Sequence, residues 1–247
     1  MSTYKERRTE QQLREEIIRV CQLIWQRGWV AASAGNVSAR LSENRVLTTP
    51  SGFSKGLLKP EQLIIVDMEG KKIPSYDAAS RDLRPTSEMP LHLEVYRQRA
   101  DVGAVVHAHP PISIALSIAD IPLARCLLPE VVVTLGTIPF TRYATPSTPE
   151  GAAAVRELIT NHDALVLRRH GTVTVGRSPL DAYFKLETVE HSAEVTLIVR
   201  QLGRSNPIAP DEVRKLIALR RQMGLALPGE EEDFCTQCGV CDLAPMR

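Results

Sequence analysis

This chain of 247 residues has few aromatic residues, a net charge close to zero and no long apolar run. Aromatic side chains make up 4% of the sequence, too few for the stacking platforms that bind single-stranded nucleic acid. The formal net charge is +1, so no excess of one sign attracts nucleic acid or a membrane surface. No apolar run approaches the roughly 20 residues that span a bilayer, and the N-terminus lacks the apolar segment of a secretory signal. We therefore expect a cytoplasmic protein with no nucleic-acid or membrane partner.

Cysteine is also scarce, and its five positions are unevenly placed. Cys21 and Cys126 each stand alone in apolar surroundings, which is typical of reduced core residues. Cys235, Cys238 and Cys241 form a C-x2-C-x2-C run after an acidic stretch. This run is similar to the opening of a bacterial ferredoxin motif, but no cysteine follows three residues later. Three interpretations stay open: a flexible tail with exposed thiols, a secondary zinc or iron–sulfur site, and redox-dependent disulfides.

Helical and strand-like apolar patterns are interspersed along the chain, which indicates a layered α/β or α+β domain. Ser87 and Thr148 are placed to cap two of the predicted helices, and Pro90 falls in a first turn, where a missing N–H does little harm. No linker divides the chain before about residue 228. We therefore predict one catalytic domain over residues 1–228 and an acidic, then cysteine-rich tail over residues 229–247. The pattern predicts helices over residues 9–28, 87–99, 148–161, 178–203 and 211–224.

The stretch "VVHAHP" places two histidines one residue apart at the end of an apolar run. On a strand that ends at His109, residues i and i+2 share a face, so His107 and His109 can aim at one metal ion. A His-x-His pair alone is weak, but His170 lies in a predicted turn between two apolar runs and offers a third ligand. Three histidines and an open position are typical of a catalytic zinc site. We expect surface or packing roles for His162 and His191.

Glu88 is the candidate acid–base residue, although a carboxylate at a helix start is also an ordinary stabiliser of the helix dipole. Backbone N–H groups at that helix start, together with two hydroxyls, can hold a phosphate. Two further turns have the small-residue composition that presents backbone donors to an anion, and each taken alone is also consistent with a plain turn. The residues of this candidate anion pocket are Gly35, Asn36, Ser51, Gly52, Thr86 and Ser87.

Five short motifs in this order resemble the class II aldolase/adducin superfamily over roughly residues 9 to 225. They are "GNVS" at 35–38, "TPSG" at 49–52, "TSE" at 86–88, "HAH" at 107–109 and "HG" at 170–171. Within the superfamily the resemblance is greatest to the L-fuculose-1-phosphate aldolases. It implies a three-layer α/β/α fold with a central, largely antiparallel sheet, and a homotetramer with active sites at subunit interfaces.

The resemblance also implies roles for particular residues. His107, His109 and His170 match zinc ligands, and Glu88 matches a catalytic acid/base that also fills a metal position when substrate is absent. Gly35, Asn36, Ser51, Gly52, Thr86 and Ser87 match the residues that hold the phosphate of a sugar substrate. The expected reaction is zinc-dependent cleavage of a (deoxy)ketose 1-phosphate to dihydroxyacetone phosphate and an aldehyde.

The sequence departs from the aldolase pattern at two positions where the family carries tyrosines. The C-terminal "YGL" corresponds to "MGL" at 223–225, and "CLLPE" at 126–130 has no tyrosine; Tyr143 and Glu130 are the available substitutes. A pentulose-phosphate 4-epimerase is an alternative, because "IPFTR" at 138–142 matches that branch, although its aspartate corresponds to Val132. A dehydratase, a decarboxylase and a non-enzymatic adducin-like module are further alternatives.

Overall fold

The computed structural model describes residues 8–74, 78–123 and 126–241, and an antiparallel sheet lies at its centre. Its strands run in the order β3-β2-β1-β4-β6-β5, and every adjacent pair is antiparallel. The strands of this sheet are β1 (Asn36–Ser42), β2 (Arg45–Thr48), β3 (Ile64–Val66), β4 (Ala104–Ala108), β5 (Ala164–Leu167) and β6 (Gly171–Gly176).

Helices cover both faces of the sheet, so the expected three-layer α/β/α fold is confirmed. Within β4, Val106 packs against the α1 and α6 layer, whereas Val105 faces the layer formed by α2 and α5. This alternation follows from the two-residue repeat of a strand, and it determines which side chains of β4 face each helical layer. The helices of the described chain are α1 (Glu10–Gln26), α2 (Met89–Gln98), α3 (Pro111–Ile118), α4 (Pro129–Thr134), α5 (Pro149–Ile159), α6 (Pro179–Gln201), α7 (Pro210–Gln222) and α8 (Glu230–Cys238).

The predicted helix starts are confirmed at α5 but not at α2. Thr148 accepts a hydrogen bond from the Glu150 amide, as expected of an N-cap, with Pro following it. At α2 the cap position belongs to Glu88, so the prediction of Ser87 as N-cap is wrong. The physical reason is that the Met89 amide, which a Ser87 cap would accept, donates to the Thr86 carbonyl instead, and Pro90 has no amide to offer.

The C-terminal segment packs on the domain as far as it is described. Phe234 of α8 and Val240 are buried in one apolar cluster with Val132 of α4. The flexible-tail interpretation is therefore wrong up to residue 241, and residues 242–247 lie outside the described part. Cys126, expected as an isolated reduced thiol, is joined to Cys238 by a disulfide. The division of the chain at residue 228 stays a prediction.

Among the described residues, no helix combines the length and the apolar character required to cross a bilayer.

Candidate metal centre and anion cleft

Antiparallel pairing of β4 with β6 brings the three candidate histidines to one end of the sheet. His107 lies in β4 next to β6, and His109 follows just after the strand ends at Ala108. His170 lies in the turn between β5 and β6, directly before Gly171. The strand is one residue shorter than predicted, so His109 approaches His107 from the connecting loop.

The three imidazoles and the Glu88 carboxylate converge on one point. Nε2 of His107 lies 3.0 Å from Nε2 of His109 and 3.0 Å from Oε2 of Glu88. Nε2 of His170 lies 3.5 Å from Oε1 of the same carboxylate, and one ligand atom from each residue falls within 4.8 Å of all the others. A tetrahedral metal with bonds of about 2.1 Å separates its ligand atoms by about 3.4 Å. These separations therefore fit a divalent metal ion.

Strand β6 fixes the orientation of the histidine rings. Nδ1 of His107 donates to the Thr172 carbonyl at 2.8 Å, which leaves Nε2 free to face the metal position. Gly171 lets the rings approach β6, because a Cβ at this residue would lie 2.9 Å from the ring of His109 and 3.1 Å from that of His107. It would also lie 2.3 Å from the Ala108 carbonyl, so only glycine fits here.

Glu88 is ionised in this arrangement although it is almost completely buried. Burial alone would raise the pKa of its carboxyl, but the facing His107, the Asn36 amide and His170 together hold that pKa well below its usual range. Asn36 Nδ2 donates to Oε2 of Glu88 at 2.9 Å. Asn36 itself is positioned by the sheet, because it pairs with His107 across β1 and β4.

A buried hydrogen-bond chain that the sequence analysis missed continues behind Asn36. Asn36 Oδ1 contacts Nε2 of His92, and Nδ1 of His92 lies 2.7 Å from Ser38 Oγ. Ser38 Oγ in turn lies 2.8 Å from the Tyr96 hydroxyl. Burial, with a further contribution from His107, lowers the pKa of His92 to about 3, so its ring is neutral. A neutral ring that donates to Asn36 orients the amide so that its N–H group points at Glu88.

One sequence signal could have found His92. It lies four residues after Glu88 at the start of a helix, and residues at this spacing share a face. A histidine on the face that also carries the candidate acid–base residue is therefore placed beneath it.

The histidines differ in how readily they take up a proton. Burial and the neighbouring His107 lower the pKa of His109 to about 3 and that of His170 to about 4. Both rings are therefore neutral at pH 7, the state that binds a metal. Burial alone would lower the pKa of His107, but Glu88 raises it above the ordinary value.

The candidate anion residues line one cleft of about 240 Å³ beside the metal position. Thr86 is buried, whereas Ser51, Gly52 and Ser87 are exposed at the opening. Gly35 has a positive φ of 74°, and a Cβ there would lie 2.5 Å from the Val30 side chain. The structure thus brings together all six residues of the candidate anion pocket, which are Gly35, Asn36, Ser51, Gly52, Thr86 and Ser87.

Lys55 and Ser147 also line this cleft and were not identified from the sequence. The Lys55 ammonium is buried and donates to the carbonyls of Ser33 and Phe53 at 3.0 and 2.8 Å. Its charge contributes to lowering the pKa of His109. Ser147 donates to Ser87 at 3.0 Å and narrows the opening. A buried cation under exposed donors favours an anionic ligand in this cleft.

No tyrosine lines the cleft among the described residues. Met223, which stands at the family tyrosine position, is 57% exposed, and the proposed substitute Tyr143 is 58% exposed. Glu130 is exposed on α4. Val132, at the position of the epimerase aspartate, is buried in an apolar cluster.

Replacement of His109 by alanine is expected to remove the bound metal. The change deletes one of three imidazoles that meet at the metal position, and a lost ligand weakens binding steeply. Metal per chain, measured by elemental analysis after gel filtration, should fall to background in His109→Ala. His191→Ala is the matched control, because this histidine is exposed on α6. Equal metal content in both variants would contradict the assignment.

Metal affinity is expected to fall as the pH decreases below the raised pKa of His107. Glu88 raises the pKa of His107 in the metal-free site, so below that pKa the metal must displace one proton. Affinity should then decrease about tenfold per pH unit, while His109 and His170 stay neutral until about pH 4. Competition with a chelating dye from pH 5 to 8, corrected for dye protonation, measures the slope. A flat profile would show that His107 is not a ligand.

The chain is similar to known proteins over most of its length. The model of the family described as Class II Aldolase and Adducin N-terminal domain matches residues 15–197. An L-fuculose phosphate aldolase from Methanococcus vannielii is 37% identical over 77% of this chain and 98% of its own length. A 3-oxo-tetronate 4-phosphate decarboxylase from Escherichia coli K12 is 34% identical over 78% of this chain and 89% of its own length.

A solved structure agrees with the fold as well. The crystal structure of YgbL from Escherichia coli, described as an aldolase, epimerase or decarboxylase, superposes with a TM-score of 0.75 at 31% identity. It covers 85% of this chain and 100% of its own. The chain belongs to the class II aldolase and adducin N-terminal domain family, and the relatives named above are an aldolase and a decarboxylase.

Proposed function

We propose that the chain is a zinc-dependent lyase that cleaves a carbon–carbon bond of a phosphorylated sugar and releases dihydroxyacetone phosphate. One observation carries the proposal: Glu88 and three imidazoles converge beside a cleft lined by small-residue turns and hydroxyls. Three imidazoles form a donor set that suits zinc, and substrate would take the fourth position, which Glu88 faces here, while Glu88 acts as acid and base. The first candidate substrate is a (deoxy)ketose 1-phosphate similar to fuculose 1-phosphate, since an aldolase of that name is 37% identical to the chain.

The anion cleft sets the register of the substrate. The phosphate would accept hydrogen bonds from the turns at Gly35 and Gly52 and from the Thr86 and Ser87 hydroxyls, with Lys55 beneath them. Because this cleft adjoins Glu88 and the histidines, a phosphate at C1 holds C2 and C3 of the sugar next to the metal position. Binding energy from the non-reacting phosphate thus orients the reacting bond.

Glu88 is the group that moves a proton to or from carbon. When bound, a divalent metal supplies a Lewis acid for the negative charge that develops on the carbonyl and its neighbouring oxygen. In cleavage, the C4 hydroxyl gives its proton to solvent, the C3–C4 bond breaks, and the electron pair remains on C3. Glu88, which is ionised in the free site, takes up a proton from solvent in exchange and delivers it to C3, which completes dihydroxyacetone phosphate. Asn36 holds the carboxylate toward the site through one oxygen.

A decarboxylase is the second candidate, and the missing tyrosine favours it. Release of an aldehyde requires proton transfer at the aldehyde oxygen, and Met223 cannot take part in it. Loss of carbon dioxide from a 3-oxo-tetronate 4-phosphate requires no such transfer. It leaves the same carbanion beside the same carbonyl, and protonation by Glu88 again gives dihydroxyacetone phosphate. The relative of this name at 34% identity supports the candidate.

The remaining alternatives receive less support. An epimerase of this family would require an acid where Val132 is buried among apolar side chains. The homotetramer with interface active sites, expected from the family resemblance, stays a proposal, and light scattering of the purified protein tests it.

The reaction test follows dihydroxyacetone phosphate, because both candidates release it. Ketose 1-phosphates and 3-oxo-tetronate 4-phosphate are supplied separately, and the product is detected by enzymatic reduction with NADH. Aldehyde as co-product identifies the aldolase, and carbon dioxide identifies the decarboxylase. Failure to release dihydroxyacetone phosphate from either class would overturn the proposal.

Glu88→Gln is expected to lower turnover about 10²–10⁴-fold, the usual contribution of an acid–base residue. Glutamine keeps the size of the side chain, and the three histidines remain to hold the metal. Elemental analysis should therefore show bound metal in the inactive variant. Chelator treatment of the unmodified protein should abolish turnover, and added zinc should restore it. Turnover unchanged in Glu88→Gln would exclude this residue as the proton carrier.

A further inference from the structure

Four of the five cysteines lie where the C-terminal segment packs on the domain, and none of them belongs to the metal centre. Disulfides join Cys126 to Cys238 and Cys235 to Cys241. The fifth, Cys21, is buried in α1 and free. The family match ends at residue 197, so three of the four clustered cysteines lie beyond it.

The geometry of α8 explains how three of these sulfurs meet. Cys235 and Cys238 are three residues apart on α8, so both side chains lie on one face. Gly239 has a positive φ of 68° and ends the helix, which turns the chain back on itself. Cys241 then returns to Cys235, with Cα atoms 4.1 Å apart.

The fourth sulfur comes from a distant part of the chain. Cys126 precedes α4, and its Cα lies 5.8 Å from that of Cys238, across 112 residues of sequence. The Cys126 carbonyl accepts the Ile208 amide at 3.0 Å, which anchors this loop to the segment before α7. The fold thus supplies the fourth cysteine that is missing from the C-x2-C-x2-C run.

The surroundings hold these four residues in place. Phe234 and Val240, which flank the run, are buried against α4 and α7. Two polar contacts fix α8 further: Arg220 donates to Glu230 at 2.9 Å, and Nε2 of His162 lies 3.0 Å from Asp233. Cys126 is buried, whereas Cys241 is exposed, so the cluster has one edge open to solvent.

We propose that Cys126, Cys235, Cys238 and Cys241 are the ligands of a [4Fe–4S] cluster. In bacterial ferredoxins each such cluster takes three cysteines from a C-x2-C-x2-C run and a fourth from a remote position. The chain reproduces both parts of that pattern. Structural zinc sites with four cysteines instead use two separate C-x2-C type pairs, and Cys126 has no such partner nearby in sequence.

Assembly of the cluster balances in protons and electrons. Reduction of the two disulfides by a dithiol takes up four electrons and four protons and gives four thiols. Each thiol then loses its proton as its sulfur bonds to iron. Iron and sulfide come from outside the chain, as two ferrous ions, two ferric ions and four sulfide ions, whose charges sum to those of the [4Fe–4S]2+ core. The disulfides and the cluster are therefore alternative states of the same four residues.

The position of the cluster indicates what it does. It would tie the loop before α4 to α8, and α4 and α7 pack against each other in the same region. None of the four cysteines is a residue of the metal centre formed by Glu88 and the three histidines. The cluster therefore holds the C-terminal segment on the domain and does not depend on the proposed reaction.

The test uses the full chain, produced with iron supplementation and purified without oxygen. We expect a brown protein with broad absorption near about 400 nm and about four iron and four sulfide per chain. Reduction by dithionite should give the electron paramagnetic resonance signal of a reduced cluster. A second zinc per chain, beyond the one at the histidine site, in a protein without iron would overturn the assignment, and so would a colourless protein whose four cysteines resist alkylation until a reductant is added.

Variants separate the cluster from simple folding defects. Cys126→Ser and Cys235→Ser should each lose at least about half of the iron and the visible absorption. Cys21→Ser is the matched control and should keep both. Circular dichroism and metal content at the histidine site check that the variants are folded. A folded Cys126→Ser protein with full iron content would contradict the proposal.

Discussion

The antiparallel pairing of β4 with β1 on one side and β6 on the other is the constraint on which the site depends. It places Asn36 of β1 opposite His107 and brings the start of β6 beside both histidines of the "HAH" stretch. The bare backbone of Gly171 then allows the rings to approach, and the Thr172 carbonyl sets the ring orientation of His107. The sheet thus determines both which ligands meet and which nitrogen each presents.

The second organising feature is the buried hydrogen-bond chain that runs from Glu88 through Asn36 to His92. Glu88 stays ionised because His107 and the donated Asn36 amide lower its pKa, and Asn36 is oriented by a neutral His92. A buried carboxylate without such partners would take up a proton and lose its value as a base at neutral pH. Glu88 also lines the cleft that contains the buried Lys55, which is the proposed anion pocket. In the proposed reaction, this position lets Glu88 exchange a proton with a substrate that is anchored by its phosphate.

Much of this site could be predicted from the sequence, because spacing on a strand and chemistry at a helix start are local properties. His107, His109 and Glu88 follow from such local patterns. Long-range packing determines the other contacts of the site. His92 reaches Asn36 because α2 packs against β1. Cys126 shows the same limit, since 112 residues separate it from its partner. The Ser87 cap was wrong because the Met89 amide that it would accept donates to the Thr86 carbonyl, and residue propensity alone does not show where a backbone amide bonds.

The central claim is that Glu88 moves a proton to and from the carbon next to the substrate carbonyl, whatever group leaves. Incubation of the metal-loaded protein with dihydroxyacetone phosphate in D2O isolates this step, since neither aldehyde nor carbon dioxide is present. Proton NMR should show one hydrogen of the hydroxymethyl carbon replaced by deuterium, and Glu88→Gln should abolish the exchange while retaining the metal. Exchange at the wild-type rate in Glu88→Gln, or no exchange in the unmodified protein, would contradict the account.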